Sequence, residues 1–290
     1  MPQVAPGAAL DPPPPLGYRP RPMQISIRGH LCVYERVGQG PDLTLLHSVG
    51  LSTRGGWREQ MAPLAEHFTV LTYDFRGLGD SGKGEAPLGV ETYRQDLAAL
   101  LAALGIARTA LMGVSLGGFV AQACALAQPD LVSALVLVST TCRIFAGNEA
   151  RRSERNRRIR AEGMQAVAGH QIESHFPPSF QAARPDLMEW YRTHYLANDP
   201  ESYIAIMEDL GRFDCCDRLG AIACPTLVVA GDQDATSVAG RAPLDSARIL
   251  HQRIPGARLK VIEGANHYPQ LDHTAEFNRI VLDFLRLAVS

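Results

Sequence analysis

Short apolar runs alternate with longer stretches of helical spacing along most of this chain. Ile25, Ile27, Leu31 and Val33 alternate with polar positions about Arg28-Gly29, which predicts a hairpin. Residues 43–46 and 69–73 are short apolar runs bounded by loop residues, as buried parallel strands would be. Residues 57–68 between them carry helical spacing. Thr92 and Gln95 have capping-box spacing and predict the start of a helix with Leu97, Leu100, Leu101 and Leu104 on one face, stopped by Gly105. Further strands are predicted at 110–112, 134–139, 226–230 and 259–262, and a last helix at 274–287. A hairpin followed by strand–helix units predicts an α/β protein: a mostly parallel sheet with helices on both faces.

The rhythm breaks between residues 141 and 218. This segment holds six arginines between Arg151 and Arg160, and bulky rings at Phe176, Phe180, Trp190, Tyr191, Tyr195 and Tyr203. Its helical patches separate two strands that ought to be sheet neighbours. It is expected to be an inserted helical cap over the carboxyl ends of the strands, where open α/β sheets bind ligands. The expected organisation is therefore a disordered Pro-rich lead over 1–22, a core built from 23–140 and 219–290, and a cap over 141–218.

Composition narrows the function classes. A formal net charge of −2 over 290 residues gives no electrostatic case for nucleic acid or a membrane surface as a partner. No apolar run reaches membrane-spanning length, and the lead lacks the basic and apolar regions of a signal peptide. The six cysteines show no C-x-x-C pair and no metal-ligand spacing, so reduced thiols in a cytoplasmic protein are expected.

The most informative stretch is Gly113-Val114-Ser115-Leu116-Gly117-Gly118. It follows a predicted strand and precedes a helix-like run that stops at Pro129. A Ser between two glycines at such a turn is a nucleophile elbow. The glycines let strand and helix pack close, and the helix N-terminus favours developing negative charge. A Ser nucleophile needs a base, and the base an orienter. His267, in Gly264-Ala265-Asn266-His267 after the last predicted strand, stands where the base arrives in the chain order Ser, acid, His. Asp234 follows the strand at 226–230 and is the preferred acid, with Asp232 the alternative unless it serves only as a turn-forming Asp bonded to nearby backbone. The oxyanion hole is expected from the backbone N–H groups of Leu116 and Val49, the latter in His47-Ser48-Val49-Gly50. His47 is read as a loop-shaping side chain.

Taken together, the His47–Gly50 loop, Asp74-Phe75-Arg76-Gly77-Leu78-Gly79-Asp80-Ser81, the Ser115 elbow, Gly231-x-x-Asp234 and Gly264-x-x-His267 make the stretch from about Met23 to Leu287 resemble an α/β-hydrolase fold protein. Within that fold the chain is most similar to 3-oxoadipate enol-lactonases and related small-ester hydrolases. That likeness rests on Gly117-Gly118-x-x-x-Gln122, Phe176-Pro177-Pro178-Ser179-Phe180, Asp199-Pro200-Glu201-Ser202-Tyr203 and Ile254-Pro255-Gly256-Ala257. It departs from the lactonase pattern at His47, where Asn is common, and at Ser237-Val238, where Thr-Pro commonly follows the acid. Those departures bear on the substrate rather than on the machinery.

The resemblance implies cleavage of a carboxylic ester or lactone through an acyl-enzyme, with a small-molecule substrate, no metal, no organic cofactor, and a monomer or homodimer. The same triad could instead hydrolyse a carbon–carbon bond of a vinylogous diketone or pass the acyl group to another acceptor; a non-catalytic binder on this scaffold is disfavoured by the intact Ser, Asp and His. In the cap, Trp190, Phe176, Phe180 and Tyr203 are expected to wall the substrate pocket. Arg192, beside Trp190 and Tyr191, is expected to grip a polar or carboxylate group.

Overall fold

The computed structural model describes residues 22–52, 56–144, 149–234, 236 and 243–289. The Pro-rich lead, apart from Pro22, lies outside these residues.

The apolar runs become eight strands: β1 (Met23–Ile27), β2 (His30–Val37), β3 (Asp42–Leu46), β4 (Thr69–Tyr73), β5 (Thr109–Val114), β6 (Val132–Val138), β7 (Thr226–Gly231) and β8 (Arg258–Ile262). They form one sheet in the order β1-β2-β4-β3-β5-β6-β7-β8. β1 pairs antiparallel with β2, and β2 with β4; every other pairing is parallel. The hairpin turns at Arg28 (φ 43°) and Gly29 (φ 76°), the doubly positive turn whose twist suits a two-residue connection. All six residues of β5 are buried, and they alternate between two cores. Leu111 packs with Leu97, Leu100 and Val120 on one face. Ala110, Met112 and Val114 pack with Leu64, Phe277 and Val281 on the other. Helices therefore cover both faces, as the alternation of strand and helix patterns predicted.

The helices before the insertion are α1 (Arg58–Ala65), α2 (Val90–Ala103) and α3 (Leu116–Ala127). α2 starts three residues earlier than the capping-box spacing predicted. Gly89 is its N-cap, and the Val90 N–H is satisfied by the Asp209 carboxylate at 2.8 Å. A cap donated from across the fold leaves no local signature, so Thr92 looked like the start.

Among the described residues five α-helices lie between β6 and β7: α4 (Glu149–Glu162), α5 (Gln165–His175), α6 (Pro178–Ala183), α7 (Pro185–Leu196) and α8 (Pro200–Leu210), followed by a 3-10 turn over Cys216–Ala221. The arginines of α4 mostly serve its surface: Arg157 pairs with Glu154 and Arg160 with Glu201, all four side chains more than half exposed. The two ends of the insertion meet. Cys215 N–H donates to Cys142 O at 3.0 Å, Arg143 and Asp214 form a β-bridge, and Cys142 and Cys216 are joined by a disulfide. The expectation of reduced thiols is thus corrected at these two positions. They stand 74 residues apart, so only the return of the insertion to its point of departure brings them together. After β7 come α9 (Pro243–Arg253), a helix with no predicted counterpart, the short α10 (Pro269–Asp272), and α11 (Thr274–Ala288), which was predicted to within one residue.

Candidate active site

Ser115 sits between β5 and α3 at φ 52° and ψ −114°. A non-glycine residue at positive φ is strained and must be held by its surroundings. Here the Ser115 N–H donates to Val138 O at 3.0 Å, and Thr140 Oγ1 donates to Ser115 O at 2.9 Å. The flanking glycines are required by close approach. A Cβ on Gly113 would lie 2.3 Å from Gly117 O; one on Gly117, 2.2 Å from Leu46 O; one on Gly118, 2.5 Å from the Thr140 side chain. The second of these contacts presses the elbow against the end of β3. It brings the segment carrying Leu116, the first residue of α3, against the segment leading to Val49.

The other predicted residues follow the strands on the far side of β6. His267 Nδ1 lies 2.9 Å from Asp234 Oδ2. A carboxylate can only accept, so in the neutral ring Nδ1 carries the proton and Nε2 keeps the lone pair. The other carboxylate oxygen, Asp234 Oδ1, accepts from Thr236 N (2.9 Å) and Thr236 Oγ1 (2.5 Å). Thr236 Oγ1 also lies 3.0 Å from His267 Nδ1. Asp232, the alternative acid, accepts instead from Gly264 N at 2.7 Å and so fastens the turn after β8. Gln233 N–H donates to Ala265 O at 2.9 Å, tying the loop of Asp234 to the loop of His267. Both Asp234 and His267 are buried.

His47 is fully buried and uses both ring nitrogens on backbone: Nε2 accepts from Phe75 N–H at 2.9 Å, and Nδ1 donates to Ser48 O at 2.8 Å. Desolvation pushes its pKa below the ordinary imidazole value, consistent with a neutral ring that shapes the loop. The Asp74–Ser81 segment is likewise scaffolding. Asp74 Oδ2 accepts from Asp80 N–H, and buried Arg76 makes a two-point pair with Asp96 at 2.8 Å.

Over these loops lies a cluster of rings from the insertion. Phe176 packs on Phe180, Tyr191 and Tyr268, with centroids 5.7, 5.1 and 5.5 Å away. Tyr195 donates to Tyr203 Oη at 2.7 Å, and its ring lies so close to Gly50 that a Cβ there would meet Cε2 at 2.3 Å. Tyr268 and Ser48 hydroxyls are 2.9 Å apart. Of the predicted wall residues, Phe176, Phe180 and Tyr203 join this buried cluster. Trp190, partly buried, packs against the same cluster and stacks on His194 at 3.8 Å. Arg192 is not brought to the site: its side chain is 52% exposed and pairs with Glu189 on the same helix. An i,i+3 carboxylate satisfies it at the surface, so the expected grip on a substrate carboxylate is withdrawn. Residues missed from sequence are Thr236, His175 and Tyr268. The last two adjoin quoted motifs, His175 before Phe176-Pro177 and Tyr268 after the base, and that adjacency was the available signal.

Residues 43–274 match the family model for the alpha/beta hydrolase fold, and the chain belongs to that family. It is 31% identical over 243 residues to a putative carbamate hydrolase RutD of Klebsiella pneumoniae, covering 82% of this chain and 89% of the relative. It is 28% identical over 250 residues to 3-oxoadipate enol-lactonase 2 of Acinetobacter baylyi, covering 86% and 90%. The crystal structure of the enol-lactonase from Burkholderia xenovorans superposes with a TM-score of 0.84 at 28% identity, covering 91% of this chain and all of that one. Fold and relatives together define a hydrolase of small molecules, similar to enol-lactonases. Among the described residues no helix is long and apolar enough to cross a membrane.

Proposed function

We propose that the protein is a serine hydrolase that cleaves a carboxylic ester or lactone through an acyl-enzyme on Ser115, His267 and Asp234. The observation that carries this is the strained Ser115 turn at the carboxyl end of β5, together with a buried His267–Asp234 pair at 2.9 Å at the carboxyl ends of β7 and β8. His267 Nε2 takes the Ser115 proton as Oγ attacks the carbonyl. Asp234 holds the ring's tautomer and stabilises the imidazolium. The N–H groups of Leu116 and Val49 receive the oxyanion. His267 then protonates the leaving oxygen, and water, activated by the same ring, releases the acid. Residues 141–218 act as the cap that covers the reacting carbonyl and keeps bulk water from it. The likeness to enol-lactonases supports a lactone or ester over other acyl compounds.

The test is labelling with a serine-directed phosphonate followed by mass mapping. The adduct is expected on Ser115, and Ser115→Ala is expected to lose both labelling and at least about 10³-fold in kcat, because the three residues act as a unit. Labelling at another serine, or undiminished ester hydrolysis by Ser115→Ala, would overturn the assignment.

A further inference from the structure

His175, the last residue of α5, was assigned no role from sequence, yet it lies directly on the base. Its ring stacks on His267 with centroids 4.6 Å apart and planes 23° from parallel. Tyr268 meets it edge-on at 5.1 Å. Only 8% of the residue is exposed. Nδ1 is committed to the Tyr191 hydroxyl at 2.7 Å. Nε2 makes no hydrogen bond among the described residues, which leaves one polar atom of the insertion unused on a ring touching His267. A polar atom on a nearly buried ring, with no protein hydrogen bond of its own, is free to take one from a bound molecule.

The charges around it point to the kind of ligand. Burial, and next the neighbouring His267, hold the His175 pKa well below its ordinary value, so the ring is neutral. The groups around it are the phenols of Tyr191 and Tyr268 and the imidazoles of His267 and His170. Arg192 points to solvent. Arg155 reaches the cluster only over the Tyr203 ring, at 5.9 Å from its centroid. A carboxylate brought here would lose water without meeting a described arginine or lysine, which is unfavourable.

We propose that His175 is the substrate-recognition residue of the cap, its Nε2 hydrogen-bonding a neutral polar group, such as a ketone, hydroxyl or amide, on the acyl or alcohol part of the ester or lactone. This rests on the ester or lactone reading above. The Tyr191 bond and the His267 stack fix the ring, so the contact is paid for in advance by the fold and discriminates between substrates.

Three p-nitrophenyl esters of equal chain length test it: one with a keto group in the acyl chain, one alkyl, one ending in a carboxylate. The parent protein is expected to favour the keto ester by at least about 10-fold in kcat/KM over both others, the size expected of a neutral hydrogen bond in a closed site. His175→Leu should bring the keto-to-alkyl ratio to about 1, mainly through KM, while phosphonate labelling of Ser115 continues. His175→Gln, which keeps a polar end, should retain part of the preference and serves if the Leu variant does not fold. An unchanged ratio in either folded variant, or a parent that prefers the carboxylate ester, overturns the proposal while leaving the serine-hydrolase reading intact. No labelling and no hydrolysis of any ester by the parent would overturn both.

Discussion

The two sides of the site are built in different ways. The sheet side is made of main chain in contact with main chain: Gly113 against Gly117, Gly117 against Leu46, Gly231 against Ala265. The insertion side is made of rings and hydroxyls: His175, Tyr191, Tyr195, Tyr203 and Phe176. Main-chain packing at such distances admits one residue type, so the sheet side is nearly invariant under substitution. Ring clusters admit exchanges of similar volume. In the proposed serine hydrolase the chemistry would sit on the rigid side, and selectivity on the side that can be varied.

Four measurements would break or sharpen this contrast. The largest effect is expected from Asp234→Asn, which leaves the fold intact but favours the wrong His267 tautomer and should lower kcat by about 10²–10⁴-fold. Asp232→Asn, which touches only the turn at Gly264, should change kcat little; the reverse ranking would move the acid to Asp232. Next, Gly117→Ala places a methyl 2.2 Å from the Leu46 carbonyl. Neither strand nor helix can yield cheaply, so urea unfolding should show a loss of about 3 kcal/mol, with activity falling in parallel. A loss below about 1 kcal/mol would mean the two segments are free to separate. On the insertion side, Tyr195→Phe removes only the hydrogen bond to Tyr203 and should cost about 1 kcal/mol in the same titration.

The smallest effect is on pH dependence. His175 is neutral in the folded protein with its pKa well below 6.5, whereas the unfolded chain protonates it near 6.5. The unfolded state thus binds more protons below that pH, so this group's contribution to stability is full above about pH 6.5 and is lost progressively as pH falls. His175→Leu should flatten the fall in Tm between neutral and mildly acidic pH. A parallel curve would show that the ring is not shielded from water.

The same contrast explains what could be read from the sequence. The sheet side was legible because close main-chain contact demands glycine at fixed offsets from Ser115 and Asp234, and a positive φ favours it at Gly264 before His267. The central strands were legible because burial on both faces leaves continuous apolar runs, as in β5 and β7. The insertion was visible as an interruption, but its internal arrangement was not. Arg192 shares α7 with Tyr191 and Tyr195, and the choice of inward face depends on neighbours far away in the chain. His175 escaped notice because a single His before Phe176-Pro177 carries no spacing pattern. The start of α2 was misplaced because its capping group, Asp209, lies 119 residues from Val90.

The disulfide between Cys142 and Cys216 makes the insertion a covalent ring closed at the sheet. A protease that cuts once inside that ring opens a strand end but releases nothing. The nicked molecule would migrate as one species on a non-reducing gel and as two fragments after reduction. Exchange of this insertion for one from a relative therefore has natural joints just outside the two cysteines, where the polypeptide enters and leaves through a single doorway.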